Sequence, residues 1–223
     1  MELNGLFAGL GNPGSEYTHT RHNFGFILAD TLIEECKRNG SCDTLSGGKG
    51  RYEAVRCKFP GKNSGTWLIV KPLTYMNRSG EAVLPLLRYY RIPLNRLLVA
   101  HDELDIPFGR LRIKSGGGSA GHKGVDSIAD VAGSKDFHRL RLGIGKPAGY
   151  DTVSYVLGRF GTEENGCLPK ILEAALKGIY AFDREGFTAA QRSINAFSLP
   201  AEKLEAQKPS AEPALPLDSR QSP

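Results

Sequence analysis

The sequence predicts an α/β fold: a single domain of three layers, α/β/α, around a mixed, mostly parallel twisted sheet. Two observations carry this expectation. Short strand-like apolar runs alternate along the chain with segments whose apolar residues recur at i, i+3 and i+4. Four unusual segments, rich in Gly, Asn, His or Asp, follow these runs directly, where an open α/β sheet places its ligands.

The elements are expected in the following order. Leu6 to Gly9, Tyr52 to Phe59, Trp67 to Lys71, Leu97 to Ala100, Leu111 to Lys114 and Leu140 to Ile144 read as strands. Phe24, Ile27, Leu28, Thr31, Leu32 and Cys36 make one face of a first helix. Ser79 opens a second, with Ala82, Val83, Leu86, Leu87 and Tyr90 on its face. Two more are expected from about Gly124 to Val131 and about Leu168 to Arg184.

Composition bounds the function. The chain has 223 residues, 40% hydrophobic and 24% charged, which suits a globular protein with a substantial core. Residues 200–223 hold five of the 13 prolines, no aromatic residue and a net charge of −1, and are expected to be a disordered tail. The domain is therefore expected over residues 1–199, and it carries the basic excess, +6, which the −1 of residues 200–223 brings to +5 for the whole chain. That excess fits a polyanionic partner. No apolar run approaches the ~18 residues of a membrane span, and Met1, Glu2, Leu3 and Asn4 do not open a signal peptide, so a cytoplasmic protein without membrane contact is expected. Cys36, Cys42, Cys57 and Cys167 form no C-x-x-C pair and are expected to be reduced packing residues.

The four segments are Gly9-Leu-Gly-Asn-Pro-Gly14, Pro72-Leu-Thr-Tyr-Met-Asn77, His101-Asp-Glu-Leu-Asp105 and Ser115-Gly-Gly-Gly-Ser-Ala-Gly-His-Lys-Gly124. The first matches a dinucleotide fingerprint in its glycines only. Pro13 removes a backbone donor, and no strand ending in an acidic residue follows about 20 residues on. The last lacks the Lys and Ser/Thr of a phosphate-binding P-loop. No Gly-x-Ser-x-Gly elbow or activated cysteine is present, so water attack is preferred to an acyl-enzyme, and His19 and His22 lack the carboxylate spacing of a metal site. His22, close in sequence to the Asn12 loop, and Asp102, at the end of a strand, make a plausible base and orienting carboxylate. His19 and His138 read as ordinary structural or surface histidines.

Taken together in order, Gly9–Tyr17, Thr20–Asn23, Tyr75–Gly80, His101–Asp105, Gly116–His122 and Phe137–Gly145 resemble the bacterial-type peptidyl-tRNA hydrolases, over residues 3 to about 197. The resemblance implies hydrolysis of the ester between a peptide and the 3′ ribose of tRNA, recycling tRNA from abandoned translation. It implies His22 as general base oriented by Asp102, with Asn12 beside them. Tyr17, Tyr75, Met76, Asn77, His122 and Lys123 are implied as substrate-binding residues, and Lys114 and Arg141 as tRNA-phosphate contacts. The family most often has Asn where this chain has Lys123, so that position's role does not carry over unchanged. A monomer acting on peptidyl-tRNA without metal or cofactor is expected. The alternative is a noncatalytic RNA-binding protein on the same fold, as in plant intron-splicing relatives. A dinucleotide enzyme is the third reading.

Overall fold

The computed structural model describes residues 2–200 apart from 40, 47, 147, 148 and 150. The Pro-rich segment expected to be disordered lies, from residue 201 onward, outside the described residues. Seven strands form one sheet: β1 (Gly5–Gly9), β2 (Cys42–Leu45), β3 (Tyr52–Lys58), β4 (Thr66–Pro72), β5 (Leu97–Glu103), β6 (Leu111–Ser115) and β7 (His138–Gly143), in the order β2-β3-β4-β1-β5-β7-β6. β4, β1, β5 and β7 are parallel neighbours, while β3 and β6 run antiparallel to them. β2 reverses again and so matches the parallel direction, which gives five strands of seven one sense.

Helices cover both faces because β1 alternates its side chains between them. Phe7 joins Ile69, Leu98 and Leu140 in a core closed by α1 (Phe24–Asn39), α5 (Thr162–Glu185) and α6 (Phe187–Ala196). Leu6 and Ala8 face the other way, into a core closed by α2 (Ser79–Tyr89) and α3 (Lys123–Ala132) through Val83, Leu87, Val125 and Ile128. Each such fully buried aliphatic or aromatic side chain contributes about 1.5–3 kcal/mol of transfer free energy. The short α4 (Thr152–Leu157) lies between β7 and α5 in sequence.

Three expectations change. β5 continues three residues past Ala100, so His101, Asp102 and Glu103 are buried strand residues paired with β7 rather than loop residues. α5 begins at Thr162 and runs through Pro169, its start fixed by Glu164, whose carboxylate accepts from the Gly161 N–H at 2.7 Å. The cysteines are not all reduced: Cys42 and Cys57 form a disulfide across the β2/β3 pair. Their antiparallel register sets them directly opposite, with Cα atoms 4.3 Å apart, a proximity that their 15-residue separation does not announce. Cys36 and Cys167 are free and buried, and burial, with the nearby Glu35 charge, pushes the Cys36 thiol up to about 12.

Candidate active site

Two glycines allow the site to assemble. A Cβ on Gly9 would strike the Gly25 carbonyl, and one on Gly25 would strike the carbonyl of Ala100. With neither present, the first turn of α1 sits directly on the carboxyl ends of β1 and β5. The Leu10 N–H donates to the Ala100 carbonyl at 2.9 Å, and the Phe26 N–H to the Leu10 carbonyl at 3.1 Å. The 3-10 turn Arg21–Asn23, which leads into α1, is thereby carried to the end of β5, where His22 meets Asp102.

His22 Nδ1 lies 2.9 Å from Asp102 Oδ1, and His122 Nε2 lies 3.1 Å from the same oxygen. The Asp102 residue is 3% exposed. Burial alone would raise its carboxyl, but the charges and hydrogen bonds of the two facing imidazoles outweigh this and hold it far below the usual carboxylate range. As an ionised acceptor, Asp102 fixes Nδ1 of His22 as the protonated nitrogen, leaving Nε2 with a lone pair. His101 is turned away, its Nδ1 2.7 Å from the backbone carbonyl of Asp102, and burial with the neighbouring His122 drives its pKa well below that of a free histidine. His22, Asp102 and His122 have potential ligand atoms within 4.8 Å of one another. The contacts Asp102 makes with each histidine are hydrogen bonds with an assignable donor and acceptor.

Asn12 is held by Asn23. The Asn12 N–H donates to Asn23 Oδ1 at 2.8 Å, and Asn23 Nδ2 returns a bond to the Asn12 carbonyl at 3.0 Å. The Met76 N–H donates to the Asn12 side chain at 2.8 Å. A backbone N–H can only donate, so the atom facing it is Oδ1, and among the described residues the two donors of the Asn12 amide group are unengaged.

The remaining implied residues fall in different surroundings. Tyr75 and Asn77 are exposed and Tyr17 is half-buried, whereas Met76 is buried, its sulfur against Gly124 and its side chain in the core under α3. Lys123 is exposed in the first turn of α3. Lys114 is exposed at the end of β6, and Arg141 is half-buried on β7 with its Nε 2.9 Å from Glu103. Between them sits Arg139, 2% exposed, whose Nη1 donates to the Gly118 carbonyl and Nη2 to that of Gly116. Gly117, at φ 85°, lies against both the Lys114 ammonium and Arg139, where a Cβ would stand 2.7 Å from Lys114 Nζ. The glycine loop and the basic strands are therefore one packed unit.

Four structural contributors escape sequence reasoning: Asn23, Glu103, Arg139 and Arg21. Arg21 joins the His22 turn to α4 and α5, with Nη2 2.6 Å from Glu164 and its guanidinium 4.3 Å from the Tyr155 ring centre. All four lie within the motifs given above: Arg21 and Asn23 flank His22, Glu103 follows Asp102, and Arg139 stands two residues before Arg141.

The family model described as peptidyl-tRNA hydrolase matches residues 6–203. The chain is 52% identical to a peptidyl-tRNA hydrolase of Oleidesulfovibrio alaskensis over 198 residues, covering 88% of this chain and 98% of that one. It is 40% identical to that of Pelobacter propionicus over 190 residues, with 85% and 94% covered. Its fold superposes on the crystal structure of peptidyl-tRNA hydrolase from Acinetobacter baumannii with a TM-score of 0.78 at 34% identity, covering 89% of this chain and 98% of the other. With nearly the whole folded part matched by the family model and by full-length relatives, the chain belongs to the peptidyl-tRNA hydrolase family.

Proposed function

We propose that this chain hydrolyses the ester linking a peptide's carboxyl carbon to the 3′ oxygen of tRNA, with His22 as general base. The observation that carries the reading is the His22–Asp102 hydrogen bond, which leaves Nε2 as the unprotonated nitrogen of His22. Nε2 takes a proton from water, the water oxygen bonds to the ester carbonyl carbon, and the carbon–oxygen bond to the ribose breaks. The proton then passes from the imidazolium to the departing 3′ oxygen, so the base is regenerated. Asp102 stabilises the imidazolium in between. The free donors of Asn12 suit a backbone or ester carbonyl and are indifferent to side chains, as a substrate of any peptide sequence requires.

Lys114 and Arg141 are assigned to tRNA phosphate. Arg141 keeps both Nη groups available while Glu103 holds Nε, and phosphate contacts position a nucleic acid without reading sequence. Tyr75 and Asn77, exposed beside the Asn12 contact, are assigned to the peptide and ribose end, as is Tyr17.

The test offers N-acyl-aminoacyl-tRNA and free-amine aminoacyl-tRNA side by side and follows ester cleavage. Cleavage of the acylated form alone is expected. Binding of tRNA with cleavage of neither would favour a noncatalytic RNA-binding protein.

A further inference from the structure

Two histidines share one carboxylate oxygen, and only one of them can serve as the base. What separates them is the other ring nitrogen. His122 is the N-cap of α3, where Ser, Thr, Asp or Asn is usual, and its Nδ1 accepts from the Gly124 N–H at 3.2 Å and the Val125 N–H at 3.3 Å. An acceptor needs a lone pair, so the ring proton is on Nε2, 3.1 Å from Asp102 Oδ1. Protonating Nδ1 as well would turn it into a donor facing two donors, at the positive end of the α3 dipole. The side chain is 7% exposed, and the His101 ring packs edge-on against it with centroids 4.6 Å apart. His22 has the opposite arrangement, with Nδ1 bound to Asp102 and Nε2 unengaged among the described residues.

We propose that His122 is a positioning residue: α3 locks it as the Nε2–H tautomer, and its fixed N–H holds the Asp102 carboxylate oriented toward His22. Its two ring nitrogens are both engaged, so it takes no proton from water, and that proton goes to His22 alone. The charged or titratable groups facing it are Asp102 and His101 from β5 and His22 from the turn before α1, with Lys123 and Asp126 in its own helix turn. The consequence for rate rests on the hydrolytic reading, whereas the tautomer does not.

The test has two arms. In the full chain carrying ¹⁵N-histidine, two-bond nitrogen–proton NMR correlations distinguish the tautomers, with His22→Asn and His122→Asn spectra supplying assignments. At neutral pH His122 is expected as the Nε2–H form and His22 as the Nδ1–H form. A protonated Nδ1 on His122 would overturn the proposal. This arm stands even if no acylated tRNA is cleaved. In the second arm His122→Asn keeps an oxygen for the helix cap but is too short to carry an N–H to Asp102. It should retain the wild-type melting temperature and KM while kcat falls about 10- to 100-fold. A loss confined to KM, with kcat unchanged, would make His122 a substrate contact and refute the positioning role.

Discussion

His22 and His122 approach one oxygen of Asp102 with opposite ring nitrogens, Nδ1 at 2.9 Å and Nε2 at 3.1 Å. The carboxylate therefore orients His22 without leaving an unsatisfied charge in a buried place. Asp102→Asn replaces this acceptor with an amide that can donate, which allows His22 to turn the wrong nitrogen to the substrate. By analogy with the serine-protease aspartate, kcat should fall about 10²- to 10⁴-fold. Single-turnover cleavage by Asp102→Asn checks this, and a near-normal rate would show that the carboxylate does not hold the His22 ring.

Asn12→Asp separates the two ends of the Asn12 amide. A carboxylate still accepts from the Met76 N–H, so the melting temperature should stay near that of the wild type. The free donors are lost, and a negative charge meets the carbonyl that they served. The rate of acylated-tRNA cleavage should drop about 10²- to 10³-fold, the usual cost of one such donor. Full activity in this variant would remove Asn12 from the chemistry.

Lys114→Ala and Arg141→Ala should raise KM for full-length acylated tRNA more than for a short acylated oligonucleotide. Each should reduce the salt dependence of binding by about one counterion. Glu103→Gln should behave as a milder Arg141 variant, since it loosens the Nε contact without removing the guanidinium. Equal effects on both substrates would place these residues away from the tRNA body.

His101 gives a pH signature of stability. Its folded-state pKa is depressed by burial, with His122 adding to the effect, so the native state binds fewer protons than the unfolded chain as pH falls below about 6.5. Stability from this group is thus complete above the unfolded pKa and is lost progressively as pH falls below it. His101→Gln should flatten that slope between pH 7 and 5 in urea melts. An equal slope in both proteins would assign the acid sensitivity elsewhere.

Much of the fold was legible because periodicity reports burial. Leu6–Gly9, Trp67–Lys71 and the α1 and α2 faces are apolar at the spacings their elements demand. β2 was not, since Cys42–Leu45 is a short edge strand with two exposed polar residues and no apolar run. The end of β5 was missed for a different reason. His101, Asp102 and Glu103 read as a polar loop, but each finds a hydrogen-bond or charge partner inside the protein, which lets a strand carry them into the interior. The His22–Asp102 pairing was suggested by motif position. The shared oxygen and the support of Arg139 depend on three-dimensional register, which no local pattern encodes, and the cap of α3 is local but made by His122 where Ser, Thr, Asp or Asn is the usual signal.

The most direct test of the central claim is His22→Ala, assayed in parallel for single-turnover cleavage of N-acetyl-aminoacyl-tRNA and for binding of uncharged tRNA. The account predicts a rate loss of about 10²- to 10⁴-fold, the value of a general base, with tRNA affinity and melting temperature retained. Near-normal cleavage by His22→Ala would contradict it.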